Sequence, residues 1–238
     1  MNRRDVPVGD GYFRDAPYLV GSLEKYSHEL SLLLDGSKIR KYRANEVIFR
    51  QGEVSDRFYF IKEGTVQVTI SGPDGSEKIA AIQERNTFAN DTGLDGYPSL
   101  ATVVALEDSE IYVITKAHFE SCVKACPTAA FMILESVIRK ARVNAFQVGY
   151  LSLLNAKERV ARVLLTLAHE IGTESEEGIV IGRRITHETL AGLTGLARPT
   201  LTSAINDLEK AKTIKTKNRT MIIIDRQGLA EAAGNVDA

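Results

Sequence analysis

One long cation, Arg198, is followed within five residues by three short hydroxyls, Thr200, Thr202 and Ser203. A guanidinium is a planar fork of N–H donors that pairs bidentately with a carboxylate, a phosphate or the O6/N7 edge of guanine, while short hydroxyls suit phosphate or a thymine methyl. These residues close the run Thr186–Leu208, whose other positions explain how they would be held. Ala191 is small where two helices would approach closely, and Gly195, four residues on, supplies a turn. Leu190, Leu196, Leu201 and Ile205 would lock the two helices together. Thr186 suits the cap of the first helix, with Thr189 at its third position in place of the acid of a full capping box, and Pro199 suits the first turn of the second. The apolar pattern alone suits any helical hairpin, but all these features together have the spacing of a helix-turn-helix, whose second helix would lie in the major groove of double-stranded DNA. Arg198 is the expected base contact, with Thr200, Thr202 and Ser203 beside it and Thr186 and His187 at the start of the first helix.

The bulk charge neither helps nor forbids this. The chain of 238 residues has a formal net charge of -1, so affinity for a polyanion must come from a local patch. Between Gly195 and Arg219 six basic residues face two acidic ones, Asp207 and Glu209, a local excess of four. Salt-sensitive phosphate binding follows from such an excess, and Lys217 and Arg219 join the expected DNA contacts. Lys215–Asp225 reads as strand, turn and strand around Asn218, the wing of a winged helix.

The elements that must position this unit lie upstream. From Thr128 to about Leu154 apolar residues recur at alternating spacings of three and four: Leu134, Val137, Ala141, Val148 and Leu151, with Asn144 in the same register. A narrow seam of this kind usually meets another helix; a core helix of a single domain is the alternative, and Asn144, a polar residue of the kind that sets register and partner number, weighs towards a dimer helix. From Ile39 to Ile114 the texture is of short strand-like runs: 47–49, 58–61, 66–70, 79–82, 101–106 and 111–114. Turn signals divide them, most firmly Pro73-Asp74-Gly75, which suggests an antiparallel sandwich or barrel. Before it, residues 1 to about 20 suggest a loose arm, and Leu23, Tyr26, Leu30 and Leu33 an amphipathic helix over 19–34. After the long helix, 155–172 reads as another helix, 174–177 as a charged loop and 179–181 as a strand.

Other chemistry has little support. There is no glycine-rich phosphate loop, metal-spaced His or Cys set, or nucleophile elbow, so an enzyme, a bound metal and a cofactor are not expected. Cys122 and Cys126 are too few for an iron-sulfur cluster held by cysteine alone and read as structural thiols. With no apolar run of membrane length and no signal-peptide pattern, a cytoplasmic protein without membrane contact is expected.

The order Ile48, Gln51-Gly52-Glu53, Tyr59–Ile61, Gly64, Val66, Val68, Gly75, Glu77 resembles the cyclic-nucleotide-binding β-roll. With the long helix, where Pro127 and Val148-Gly149-Tyr150-Leu151 fit without a gap, and the winged segment, the whole resembles the Crp-Fnr family of bacterial transcription regulators over roughly residues 38–225. The resemblance implies an α+β chain with four parts: an arm and short helix over 1–37, an antiparallel β-roll (jelly roll) over 38–126, a dimerisation helix over 127–154, and a winged helix-turn-helix over 155–238. It implies a homodimer on a palindromic operator, controlled by a small-molecule effector between roll and helix, with RNA polymerase as a further partner. Activator and repressor both stay open.

The resemblance fails at the effector. Cyclic-AMP-binding members carry Phe-Gly-Glu followed by Arg-Ser, the glutamate on the ribose and the arginine on the phosphate. Here the stretch is Phe88-Ala89-Asn90-Asp91-Thr92-Gly93, with Ser99-Leu100 in place of Arg-Ser. No arginine meets a cyclic phosphate and Asp91 repels one, so cyclic AMP is not expected. Asn90, Asp91, Ser99, Thr102, Arg139, Arg142 and Asn144 are the expected effector-site residues, with the two arginines favouring a small organic acid. The alternatives are a constitutive or redox-responsive DNA-binding dimer without an effector, and a regulatory subunit acting by protein contact.

Arg198→Ala is expected to relax specificity at one base pair and cost about 1–3 kcal/mol there. Binding titrations against operators varied at single positions check this; unchanged affinity and base preference would remove Arg198 from the recognition surface.

Overall fold

The computed structural model describes residues 18, 20–181, 186–217 and 220–234. The expected N-terminal arm apart from Tyr18 and Val20, together with Asn218 and Arg219 of the expected wing, lies outside them. The chain divides into two compact units, one over Tyr18–Ala145 and the other beginning at Phe146.

The first unit carries eight strands: β1 (Lys38–Tyr42), β2 (Val47–Phe49), β3 (Arg57–Glu63), β4 (Thr65–Ser71), β5 (Glu77–Glu84), β6 (Thr87–Ala89), β7 (Thr102–Ala105) and β8 (Ser109–Thr115). They form two antiparallel sheets, ordered β1-β8-β3-β6 and β2-β7-β4-β5. The run Phe58-Tyr59-Phe60-Ile61 in β3 is buried without alternation because both its faces are covered. Tyr59 and Ile61 point between the sheets, into a core with Phe49, Val66, Val103 and Ile111. Phe58 and Phe60 point the other way, onto Leu30 and Leu33 of α1 (Ser27–Leu34), Cys122 of α2 (Lys116–Ala125), and Ala129, Met132 and Ile133 of α3 (Thr128–Leu153). Truncating either phenylalanine to alanine would cost about 3–5 kcal/mol. Gly64 turns the corner between β3 and β4 with φ +97°, and a Cβ there would stand 2.1 Å from the Ser109 hydroxyl oxygen, so no other residue fits.

Three elements depart from the sequence reading. The edge strand β1, Lys-Ile-Arg-Lys-Tyr, is exposed at every position except Tyr42, Ile39 included, and gives no alternation to detect. The expected helix over 19–34 opens instead as a 3-10 turn, Glu24–Tyr26, before α1. The seam on α3 is also rotated. Val137 packs against the aromatic core of the roll, while Phe131, Leu134 and Ile138 are exposed. Spacings of three and four from these reach the exposed Ala141, Ala145 and Val148.

The second unit contains α4 (Ala156–Ile171), β9 (Gly172–Ser175), β10 (Gly178–Ile181), α5 (His187–Thr194), α6 (Arg198–Lys210), β11 (Ile214–Lys217), β12 (Thr220–Ile223) and α7 (Arg226–Ala232). Its strands form one antiparallel sheet ordered β11-β12-β10-β9, so the expected charged loop over 174–177 is the tip of a hairpin. α4 starts at a full capping box: Asn155 Oδ1 accepts from the Glu158 N–H at 3.0 Å and the Glu158 carboxylate accepts from the Asn155 N–H at 2.7 Å.

Two carboxylates in the first unit are tied to cations. Glu110 accepts from Lys62 at 2.8 Å and pairs with Lys41 at 3.0 Å, and Glu135 pairs with Lys25 at 2.7 Å and accepts from the Tyr26 hydroxyl at 2.6 Å and from Arg139. These partners hold each carboxyl at about 2, against an ordinary 4.5. Their stabilising effect is therefore fully present above about pH 4.5 and is lost as pH falls towards about 2. Urea melts across this window are expected to show a steeper acid loss for the native protein than for a Glu110→Gln, Glu135→Gln double variant.

Candidate nucleic-acid interface and effector cavity

The helix-turn-helix is held from beneath by apolar contacts. Leu190, Leu193, Leu196, Leu201, Ile205 and Leu208 are buried, and Thr194 donates to the Leu190 carbonyl at 2.6 Å. Gly195 makes the turn in the left-handed region, φ +63°, and Arg159 of α4 donates to the Thr194 carbonyl at 3.1 Å. Thr186 caps α5 through the Thr189 N–H at 3.0 Å. Burial of the inner stripe leaves Arg198, Thr200, Thr202 and Ser203 together on the exposed face of α6, with His187 exposed at the start of α5. Arg198 meets Glu188 at 3.1 Å, with both side chains more than two-thirds exposed, so the pair holds it weakly. The Thr202 hydroxyl donates to the Arg198 carbonyl at 2.9 Å.

Asn206, exposed one turn beyond Thr202, continues the row 198–202–206 and was missed by the sequence reading. Its spacing was the signal, and its carboxamide matches the N6/N7 edge of adenine. Lys217 donates to Glu177 at 2.8 Å, and Lys215 pairs with the same carboxylate. The two ammonium groups hold the Glu177 carboxyl at about 2, so it stays ionised and offsets the positive charge of the wing.

In the first unit a cavity of about 140 Å³ opens between β-roll strands and α3. Its walls are mainly apolar, among them Phe49, Val68, Ala81, Val103 and Val143. The charged groups among its described lining residues are Asp91 and Lys140. Asp91, 3% exposed, accepts from the Ser136 hydroxyl at 2.7 Å and pairs with the Lys140 ammonium, which also donates to the Phe88 carbonyl at 2.6 Å. Burial lowers the Lys140 pKa, and the Asp91 carboxylate opposes that shift.

Of the residues expected at the effector site, Asn90, Asp91 and Asn144 line this cavity. The others lie outside its lining. Ser99 donates to Asn90 Oδ1 at 2.9 Å, fixing the loop behind it, and Thr102 accepts from the Gln51 N–H at 3.0 Å. Arg139 lies against Glu135 and the Ser22 carbonyl, and Arg142 is exposed outside the lining. The reason is helical phase. Ser136, Lys140 and Asn144 recur every four residues, so one of them brings the cation to the cavity and the neighbouring arginines turn away. Gln83 was also missed; it follows Ile79 and Ala81 at inward positions of β5, and its alternation was the available signal.

Residues 39–126 match the cyclic nucleotide-binding domain and residues 158–232 the Crp-like helix-turn-helix domain. The chain belongs to the Crp-Fnr family. It is similar to the cAMP-activated global transcriptional regulator CRP of Salmonella typhimurium, 26% identical over 197 residues that cover 82% of this chain and 93% of the relative. A CRP-like cAMP-activated global transcriptional regulator of Mycobacterium tuberculosis is 25% identical over 187 residues, 78% of this chain and 84% of the relative. Among solved structures, the c-di-GMP-responsive global regulator CLP of Xanthomonas campestris shares the fold with a TM-score of 0.76 at 18% identity, covering 83% of this chain and 98% of that one. These Crp-Fnr relatives are transcription regulators rather than enzymes, and the chain is a DNA-binding regulator of the same construction. No described helix is long and apolar enough to cross a membrane.

Glu177→Gln is expected to free Lys215 and Lys217 for phosphate, tightening binding to any duplex and steepening the salt dependence by about 1–2 log units of affinity per log unit of salt. Fluorescence anisotropy over a salt series measures both. An unchanged slope would mean the wing lysines do not reach DNA.

Proposed function

We propose that the chain works as a cytoplasmic homodimer whose two α6 helices read the half-sites of a palindromic operator, with Arg198 as the principal base contact. A small effector in the β-roll cavity biases the dimer between arrangements, and operator-bound dimers meet RNA polymerase. The observation that carries this reading is the bare apolar row on α3. Phe131, Leu134 and Ile138 are 63, 51 and 46% exposed, although the same helix seals Met132 and Ile133 into the roll. A helix apolar on both faces wants a second partner, and a second copy offers the same row.

An effector unlike those named for the relatives is supported by the cavity. No arginine is among its described lining residues to neutralise a phosphate, and the Asp91 carboxylate in the same lining would repel one. Since Arg139 and Arg142 are not in that lining either, the organic-acid reading loses the groups that suggested it. A ligand that prefers one arrangement of the dimer shifts its population, and operator binding responds when the reading helices match successive major grooves, about 34 Å apart.

Leu134→Asp with Ile138→Asp places two charges in the exposed row and leaves the roll core untouched. The variant is expected to be monomeric by light scattering and to bind operator about a hundredfold or more weakly, as loss of bivalency requires. A dimer with native affinity would overturn the reading.

A further inference from the structure

The cavity in the first unit has a chemical bias of its own. Its cation is already spent: Lys140 is paired with Asp91, and Asp91 takes its second hydrogen bond from Ser136. An anionic ligand would have to displace Asp91 or sit unpaired against apolar walls, and an unpaired buried charge is costly. A cationic ligand meets the same neutral pair. The lining also contains an unmet polar demand. Gln83 is 3% exposed on β5, and its Oε1 has no hydrogen-bond partner among the described residues. Buried acceptors are nearly always paired, so an orphaned one in a cavity wall asks for a donor from whatever fills the cavity. Asn144 adds a second carboxamide from α3. The volume, about 140 Å³, is close to the roughly 150 Å³ cavity known to hold benzene. Two exposed apolar side chains, Ile70 and Leu100, belong to the same lining, so a longer ligand would leave the cavity against apolar surface.

We infer that the effector is an uncharged, mainly apolar molecule that places one ring-sized portion in this cavity and donates an N–H or O–H to Gln83. The inference rests on the cavity being the effector site proposed above.

Three ring-sized probes separate the cases on the full-length protein by calorimetry and saturation-transfer NMR: benzamide, an uncharged N–H donor; benzoate, its anionic counterpart; and toluene, uncharged and without a donor. Benzamide is expected to bind tightest, and benzoate about tenfold or more weakly. Gln83→Leu removes the orphaned acceptor. Its thermal midpoint should not fall, and the preference for benzamide over toluene should disappear. Asp91→Asn leaves the Lys140 charge without its counterion, and benzoate should then gain on benzamide. Benzoate equal to or tighter than benzamide on the native protein would overturn the uncharged class while leaving the cavity as the effector site. A Gln83→Leu protein that keeps the benzamide preference would overturn the role of Gln83. Binding of none of the three would overturn both this inference and the reading on which it rests. If Asp91→Asn does not fold, the native and Gln83→Leu measurements decide the matter.

Discussion

The buried pair of Asp91 and Lys140 is the interaction on which the organisation of the first unit turns. It joins the loop after β6 to the middle of α3, where the ammonium also takes the Phe88 carbonyl and the carboxylate also takes the Ser136 hydroxyl. Removing one partner of such a pair strands a charge and costs about 3–5 kcal/mol, whereas a complete pair roughly balances its desolvation against its attraction. The pair therefore contributes position more than stability. It sets which side of α3 faces the roll, and with that which residues line the cavity and which stay exposed.

Hydrophobic packing reinforces the same choice. Met132, Ile133 and Val137 meet the phenylalanines of β3 and β6 on the side that Ser136 and Lys140 face, and Phe131, Leu134 and Ile138 are left outside. A long amphipathic helix usually has one apolar stripe. This one has two, one packed against the roll and one exposed, which explains why its periodicity suggested a seam but misassigned Val137 to it. The second unit solves a related problem at smaller scale: buried leucines on α5 and α6 hold the pair of helices together, and the residues between them present hydroxyls, an arginine and a carboxamide on one exposed face.

Charge is distributed more economically than composition suggests. The excess of lysines beyond α6 is real, but Glu177, far away in the chain, reaches two of them through the hairpin of β9 and β10. The cavity follows the same pattern, with its lysine neutralised from another element. In both places the free charge available to a ligand is smaller than a count of nearby residues implies.

Local chemistry was enough to read most of the architecture from the chain itself. Thr186, Gly195 and Pro199 specify a cap, a turn and a helix start within a few residues, and the strand runs with their turn signals specify an antiparallel sandwich or barrel, because these are short-range steric and hydrogen-bonding constraints, while the β-roll itself followed from the family resemblance. The absence of the arginine that would hold a phosphate was equally visible. What only the tertiary structure decided is direction: which of Arg139, Lys140 and Arg142 enters the cavity, which stripe of α3 stays bare, which lysines are already paired, and that Gln83 faces inward with its Oε1 unpartnered among the described residues. Each residue step along a helix separates neighbouring side chains by about 100°, so spacing alone gives the set of faces. Which face is buried depends on groups tens of residues away.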